Sequence, residues 1–183
     1  TLDLHGELWV GGGSLNNIGA SITSVSTATV VLVGAGRIGG TGGTSLPTLI
    51  SSGSATTTTL AGNLTVQGGL VNTAGHGLDP SASNFSITLS SSLLNSGTYT
   101  TRAASITFNG SGLRQQIQTN NAVFYAFAFN GPGSWRPAMN QITISSWMSV
   151  NAGTLEVANS SLTVAGDLVI GTSGVLAINH DLA

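Results

Sequence analysis

Leu162-Thr-Val-Ala-Gly-Asp-Leu-Val-Ile-Gly171, set beside Ile142-Thr-Ile-Ser-Ser-Trp-Met-Ser-Val150, decides the fold. Two further segments carry the same stencil: Leu2-Asp-Leu-His-Gly-Glu-Leu-Trp-Val-Gly11 and Leu64-Thr-Val-Gln-Gly-Gly-Leu-Val-Asn72. Counted from the first residue, all four place bulky apolar side chains at offsets 0, 2 and 6, and three of them at offset 8. Alternation of this kind puts one set of side chains on one side of a strand, and the gap between offsets 2 and 6 is a short turn. Ile142 and Leu162 are 20 residues apart, and Asn151-Ala-Gly-Thr-Leu-Glu-Val157 recurs 21 residues later as Thr172-Ser-Gly-Val-Leu-Ala-Ile178. A repeat of this length cannot bury its apolar side alone and must lie on a neighbour, so the pattern predicts a single-domain parallel β-helix over residues 1–183 with coils of about 20–23 residues. At about 4.8 Å per stacked strand, roughly nine coils would make a rod on the order of 40 Å long.

Composition agrees. Hydrophobic residues make up 40 % of the chain, enough for a core, whereas Asp, Glu, Lys and Arg together make up 5 %, too few for solvated helices. The 26 glycines and the many Thr and Val residues suit short strands with tight corners. An antiparallel β-sandwich subunit of the pilin kind, polymerising by strand donation, is the alternative that the same composition allows.

Charge and cysteine content bound the function. The chain has four arginines, no lysine and a net charge of −2, which gives no footprint for a phosphate backbone and argues against nucleic acid. Without cysteine there are no disulfides or thiolate metal sites, and without lysine no internal isopeptide link. Apolar runs such as Val30–Val33 are too short to span a bilayer, so no membrane partner is expected. A sequence that starts at Thr1 with no visible leader reads as a mature or excised chain.

Along the chain, Ser21–Val33 reads as strand and Gly34–Gly43 as a glycine-rich corner, with the stretch to Thr59 falling out of period. His76-Gly-Leu-Asp-Pro80 reads as a turn, and so does Asn109-Gly110. Val30-Val-Leu-Val-Gly-Ala-Gly-Arg-Ile-Gly39 matches a dinucleotide-binding fingerprint letter for letter. That chemistry needs a helix N-terminus after the glycines and an acidic residue about 20 positions on. Gly40-Thr-Gly-Gly-Thr-Ser-Leu-Pro47 supplies neither, so no cofactor is expected.

The layout resembles bacterial extracellular right-handed β-helix repeat proteins, filamentous haemagglutinin-like and adhesin-type surface arrays. The likeness rests on the Leu-Thr-Val-x-Gly-x-Leu segments, on Asn151-Ala-Gly-Thr-Leu-Glu-Val157 and on Ser105-Ile-Thr-Phe-Asn-Gly-Ser-Gly112, and covers about half the chain. It implies an extracellular, cell-surface structural or adhesive role, with surface glycans as possible ligands.

Candidate sites are sparse. The acids Asp3, Glu7, Asp79, Glu156, Asp167 and Asp181 show no pairing of the kind hydrolysis or lysis requires, so no catalytic residue is assigned. His5, His76 and His180 lack metal-ligand spacing. The alternation Val123, Tyr125, Phe127, Phe129, with Trp135 nearby, reads as a core-facing row rather than a sugar platform. Asn63, Asn84, Asn109 and Asn159 satisfy the N-glycosylation pattern, which chance also yields in so Asn/Ser/Thr-rich a chain.

The functional expectation is a non-catalytic extracellular protein that joins copies of itself head to tail into a filament or surface fibre, one segment of a longer array. The alternative is a β-helix that binds or cleaves carbohydrate. The assembly interface would comprise Leu2, Leu4 and Leu8 at one end and Leu176, Ile178 and Leu182 at the other. If the Leu162 coil received the Leu2 coil, Glu7 and Asp167 would meet at offset 5 and make the joint sensitive to calcium or acid.

Overall fold

In a computed structural model, the chain is a β-solenoid of about eight turns, with no helix among the described residues. The structure describes residues 2–18, 22–25, 27–41, 44–138, 141–158 and 160–179. Every strand pairing among the described residues is parallel, which excludes the β-sandwich alternative.

Each coil contributes a strand to three faces. The first face stacks Leu2–Leu4, Ile22–Ser24, Thr44–Leu46, Leu64–Val66, Ile87–Leu89 and Ser105–Phe108, followed by residues 126–129, 147–150 and 168–170. The second stacks Glu7–Gly11, Thr29–Val33, Thr48–Ser52, Leu70–Asn72, Leu93–Asn95, Gln115–Gln118 and Ser134–Pro137, then 154–158 and 175–179. The third begins with Leu15–Asn16, Gly36–Gly39, Thr56–Leu60, His76–Asp79 and Thr98–Tyr99. It resumes with 123–124, 142–144 and Leu162–Val164.

The core follows from the alternation. Leu64, Val66, Leu70, Ile87, Leu89, Ile106, Phe108, Ile117, Ile142, Ile144 and Met148 point inward and are essentially fully buried. Each such side chain contributes about 1.5–3 kcal/mol through burial, which offsets the entropy of ordering a coil with few charges and no helix. The stacks Ile142 on Leu162, Ile144 on Val164 and Met148 on Leu168 are those the repeat predicts.

Three sequence expectations are corrected. The first concerns phase. Leu64 stacks on Ile87, then Ile106, Phe127, Met148 and Leu168. Offset 0 of the Leu64 segment therefore shares a face with offset 6 of the Ile142 and Leu162 segments. The stencil encodes a strand, a three-residue corner and a strand, and it fits the corner between the first and second faces as well as that between the third and first.

The second correction is that Gly34–Thr59 does not interrupt the stack: Gly36–Gly39, Thr44–Leu46, Thr48–Ser52 and Thr56–Leu60 are all in register with their neighbours. Its inward positions are partly polar, with Thr44, Ser51 and Thr58 buried, which hides the apolar period. His76-Gly-Leu-Asp79 is likewise a strand rather than a turn.

The third is the aromatic row. Phe127, Phe129 and Trp135 are buried, but Val123 is 38 % exposed and Tyr125 is half-buried, while Phe124 points inward at 1 %. The register shifts between Phe124 and Ala126, where the strand turns from the third face to the first, and the inside-outside parity resets there. Phe108 stacks on Phe129 at 4.8 Å and meets Phe127 edge-on at 5.2 Å.

Candidate functional site

Two regions carry side chains beyond those needed to fill the core: the first and last described coils and a buried polar seam. At the end formed by residues 162–179, the inward positions continue the apolar columns but lie open. Leu168 is 46 % exposed, Ile170 44 % and Ile178 70 %, whereas their partners one coil back, Met148, Val150 and Val157, are 0 %, 0 % and 4 %. Leu176, under Leu155, is half-buried. At the opposite end Leu2 is 41 % exposed, Leu8 half-buried and Leu4 buried. Leu182 lies outside the described residues, as do His180, Asp181 and Asn159. Sequence reading missed Leu168 and Ile170 as end residues because it placed the joint one face away.

The register separates Glu7 from Asp167. Glu7 opens the second-face strand Glu7–Gly11 and accepts a 3.0 Å hydrogen bond from Trp9 Nε1, whereas Asp167 precedes the first-face segment at Leu168. Continuing the stack in register sets Leu8 over the Leu49 and Leu70 column of the second face, so the two carboxylates stay on different faces. The expected calcium- or acid-sensitive pair is therefore corrected.

Other candidates have local partners. Asp3 lies 3.1 Å from His5 Nε2, and Arg102 grips Asp79 through Nε and Nη2, both at 3.0 Å. The Arg102 hydrogen bonds hold the Asp79 carboxyl below its usual range, assisted by the Ser81 backbone N–H and opposed by partial burial. Asn63, Asn84 and Asn109 are exposed, and the side-chain oxygen of each accepts a hydrogen bond from an adjacent coil: from Ser86 N and Ala103 N of the following coil for Asn63 and Asn84, and from Ser90 Oγ of the preceding coil for Asn109. No group of three His, Cys, Asp or Glu suited to a metal ion occurs among the described residues.

The polar seam runs inside the corner between the second and third faces. Asn72 Nδ2 donates to Asn95 Oδ1 at 2.7 Å and to Thr98 O at 3.0 Å, and Asn95 Nδ2 donates to Thr119 O at 2.8 Å. Beside it, fully buried His76 has Nδ1 2.9 Å from Thr56 Oγ1 and Nε2 3.1 Å from Thr58 Oγ1, and Ser51 Oγ donates to Thr58 Oγ1. Burial lowers the His76 pKa, partly countered by the Gly53 carbonyl. These hydrogen bonds cross coils and hold their register, while the buried Asn72 Oδ1 has no partner among the described residues.

No family model, curated protein or solved structure matches the chain. Fold and pairing register place it among β-helix repeat proteins as an architecture. Among the described residues no helix is long and apolar enough to cross a membrane.

Proposed function

We propose that this chain is a non-catalytic structural protein of the extracellular space or cell surface, whose solenoid stacks end to end with further copies into a filament or fibre. The observation that carries this reading is the open coil at residues 162–179, where Leu168, Ile170 and Ile178 are solvent-exposed in columns that are otherwise buried. Such a coil presents unpaired strand N–H and C=O groups together with an apolar cross-section, a template for another coil of the same shape. The coil Leu2–Asn16 offers that shape, with Leu2–Leu4 on the first face and Glu7–Gly11 on the second. A heterologous contact of this kind does not close and propagates into a filament. The adhesin-type resemblance supports the same setting.

Electron microscopy and sedimentation of the purified chain test the proposal. The native chain is expected to form fibres, and Leu168→Asp combined with Ile178→Asp to give folded monomers, because a charge buried at the joint costs far more than one left in water. A native chain that stays monomeric at high concentration, or a double variant that still forms normal fibres, overturns the proposal.

A further inference from the structure

The glycine-rich corner that follows Val33 borders a cavity. On the outside of the third face, where it turns towards the first, a cavity of ≈460 Å³ opens across three successive coils. Its lining includes Ser14, Asn16 and Ile18 from one coil, Arg37 and Thr41 from the next, and Ala61 from the third. Beside it, glycines let successive coils close on one another. A Cβ on Gly39 would lie 2.5 Å from Gly62 N, one on Gly40 1.8 Å from Asn17 O, and one on Gly62 2.4 Å from Gly40 O. Backbone packs on backbone there, and the surrounding side chains stand as walls.

The chemistry of those walls is selective. Arg37 is exposed and has no ion pair or hydrogen bond among the described residues, unlike Arg102. Along its outward row the register runs from Arg37 to Thr59 to Asp79, and Asp79 is already held by Arg102. A planar guanidinium left free at a concave surface is matched to a carboxylate by two parallel hydrogen bonds. Ser14, Asn16 and Thr41 are uncharged donors and acceptors suited to hydroxyl groups, and Ile18, 75 % exposed, with Ala61 offers apolar surface for a ring's C–H face. The volume falls within the range of small-molecule sites. Among the described residues the lining has no aromatic ring to stack a base and no second cation for a polyanion.

We propose that this cavity, with Arg37 beside the Gly39–Gly40 corner, binds a saccharide carrying a single carboxylate, of the hexuronic acid class. The proposal does not rest on end-to-end assembly, although Ser14 and Asn16 belong to the coil that would face a neighbouring copy. The test is a ligand-observed NMR titration of the chain with methyl β-D-glucuronide, methyl β-D-glucoside and inorganic phosphate. The glucuronide is expected to bind about tenfold or more tighter than the glucoside, since a charge-assisted hydrogen-bond pair is at stake. Arg37→Ala should erase that margin, Arg114→Ala should keep it, and Ile18→Ser should weaken both sugars. Arg37 and Ile18 are exposed, so the fold should survive both changes, as circular dichroism would verify. Failure of the glucuronide to bind, equal affinity for the two sugars, or a margin that survives Arg37→Ala overturns the proposal. Phosphate binding as tight as the glucuronide also overturns it, by reducing the site to a simple anion contact.

Discussion

Val123 and Phe124 are neighbours for which alternation and structure make opposite predictions, which makes truncation at the two positions decisive. Alternation through Val123, Tyr125, Phe127 and Phe129 would bury Val123 and expose Phe124. The structure buries Phe124 to 1 % exposure, with its ring centroid 4.4 Å from Tyr99 and 5.0 Å from Phe127, and leaves Val123 38 % exposed. Phe124→Ala removes a fully enclosed ring, and the stacked coils above and below cannot close the gap without shifting register. The cost is about 3–5 kcal/mol from lost transfer energy and cavity, with the two ring contacts included in that range. For a chain of this length each kcal/mol moves Tm by about 2–4 °C, so a drop of about 6–20 °C is expected. Val123→Ala should stay within about 0.5 kcal/mol, a shift of no more than about 2 °C. Thermal unfolding followed by far-ultraviolet circular dichroism measures both. Equal losses, or a larger loss at Val123, would refute the parity reset at the corner and with it the placement of residues 123–129 across two faces.

Three further outcomes follow from the buried polar groups. Because burial lowers the folded-state pKa of His76 below the usual 6.5, stability should be full above about pH 6.5 and fall as pH drops towards the folded pKa, a decline that His76→Gln flattens in Tm measurements between pH 7.5 and 5. Asn72→Ala strips Asn95 Oδ1 and Thr98 O of a buried donor and should cost about 1–3 kcal/mol in urea denaturation, more than Asn63→Ala at the surface. The Asp79 carboxyl is held below its usual pKa by Arg102, so its contribution is present above about pH 4 and lost as pH falls through the folded pKa. Asp79→Asn should therefore flatten that acid limb in the same Tm series.

The architecture was legible because inward Leu, Ile, Val and Phe residues recur at coil spacing, and Ile142 over Leu162 could be read directly. The face each segment occupies was not legible. Leu64-Thr-Val-Gln-Gly-Gly-Leu70 and Leu162-Thr-Val-Ala-Gly-Asp-Leu168 share a local geometry, yet they round different corners. Only pairing with neighbouring coils separates them, and that is long-range information. The stretch around Thr44, Ser51 and Thr58 looked aperiodic because its inward positions hold polar residues, of which Ser51 bonds Thr58 and Thr58 the buried His76. Among the candidate site residues, exposure of the terminal apolar columns was foreseeable in kind at Leu2 and Ile178, but the Glu7–Asp167 meeting failed with the phase. The Arg37 cavity could not be foreseen. Its glycines, Gly39, Gly40 and Gly62, touch only because successive coils stack at that corner.

The chain has no cysteine, so pairs of introduced cysteines can carry spin labels without background. Double electron–electron resonance between labels at Thr65 and Ser149 tests the solenoid and its register together. Both residues alternate with core positions on the first face, Thr65 half-buried and Ser149 buried, and are linked through Thr88, Thr107 and Ala128, four strand spacings or about 19 Å at roughly 4.8 Å each. Thr143, which the shared stencil alone would stack over Thr65, lies on the third face. The account predicts a narrow distribution near 20 Å for Thr65–Ser149 and a longer distance for Thr65–Thr143. The reverse order, or a Thr65–Ser149 distance well beyond four strand spacings, would contradict it.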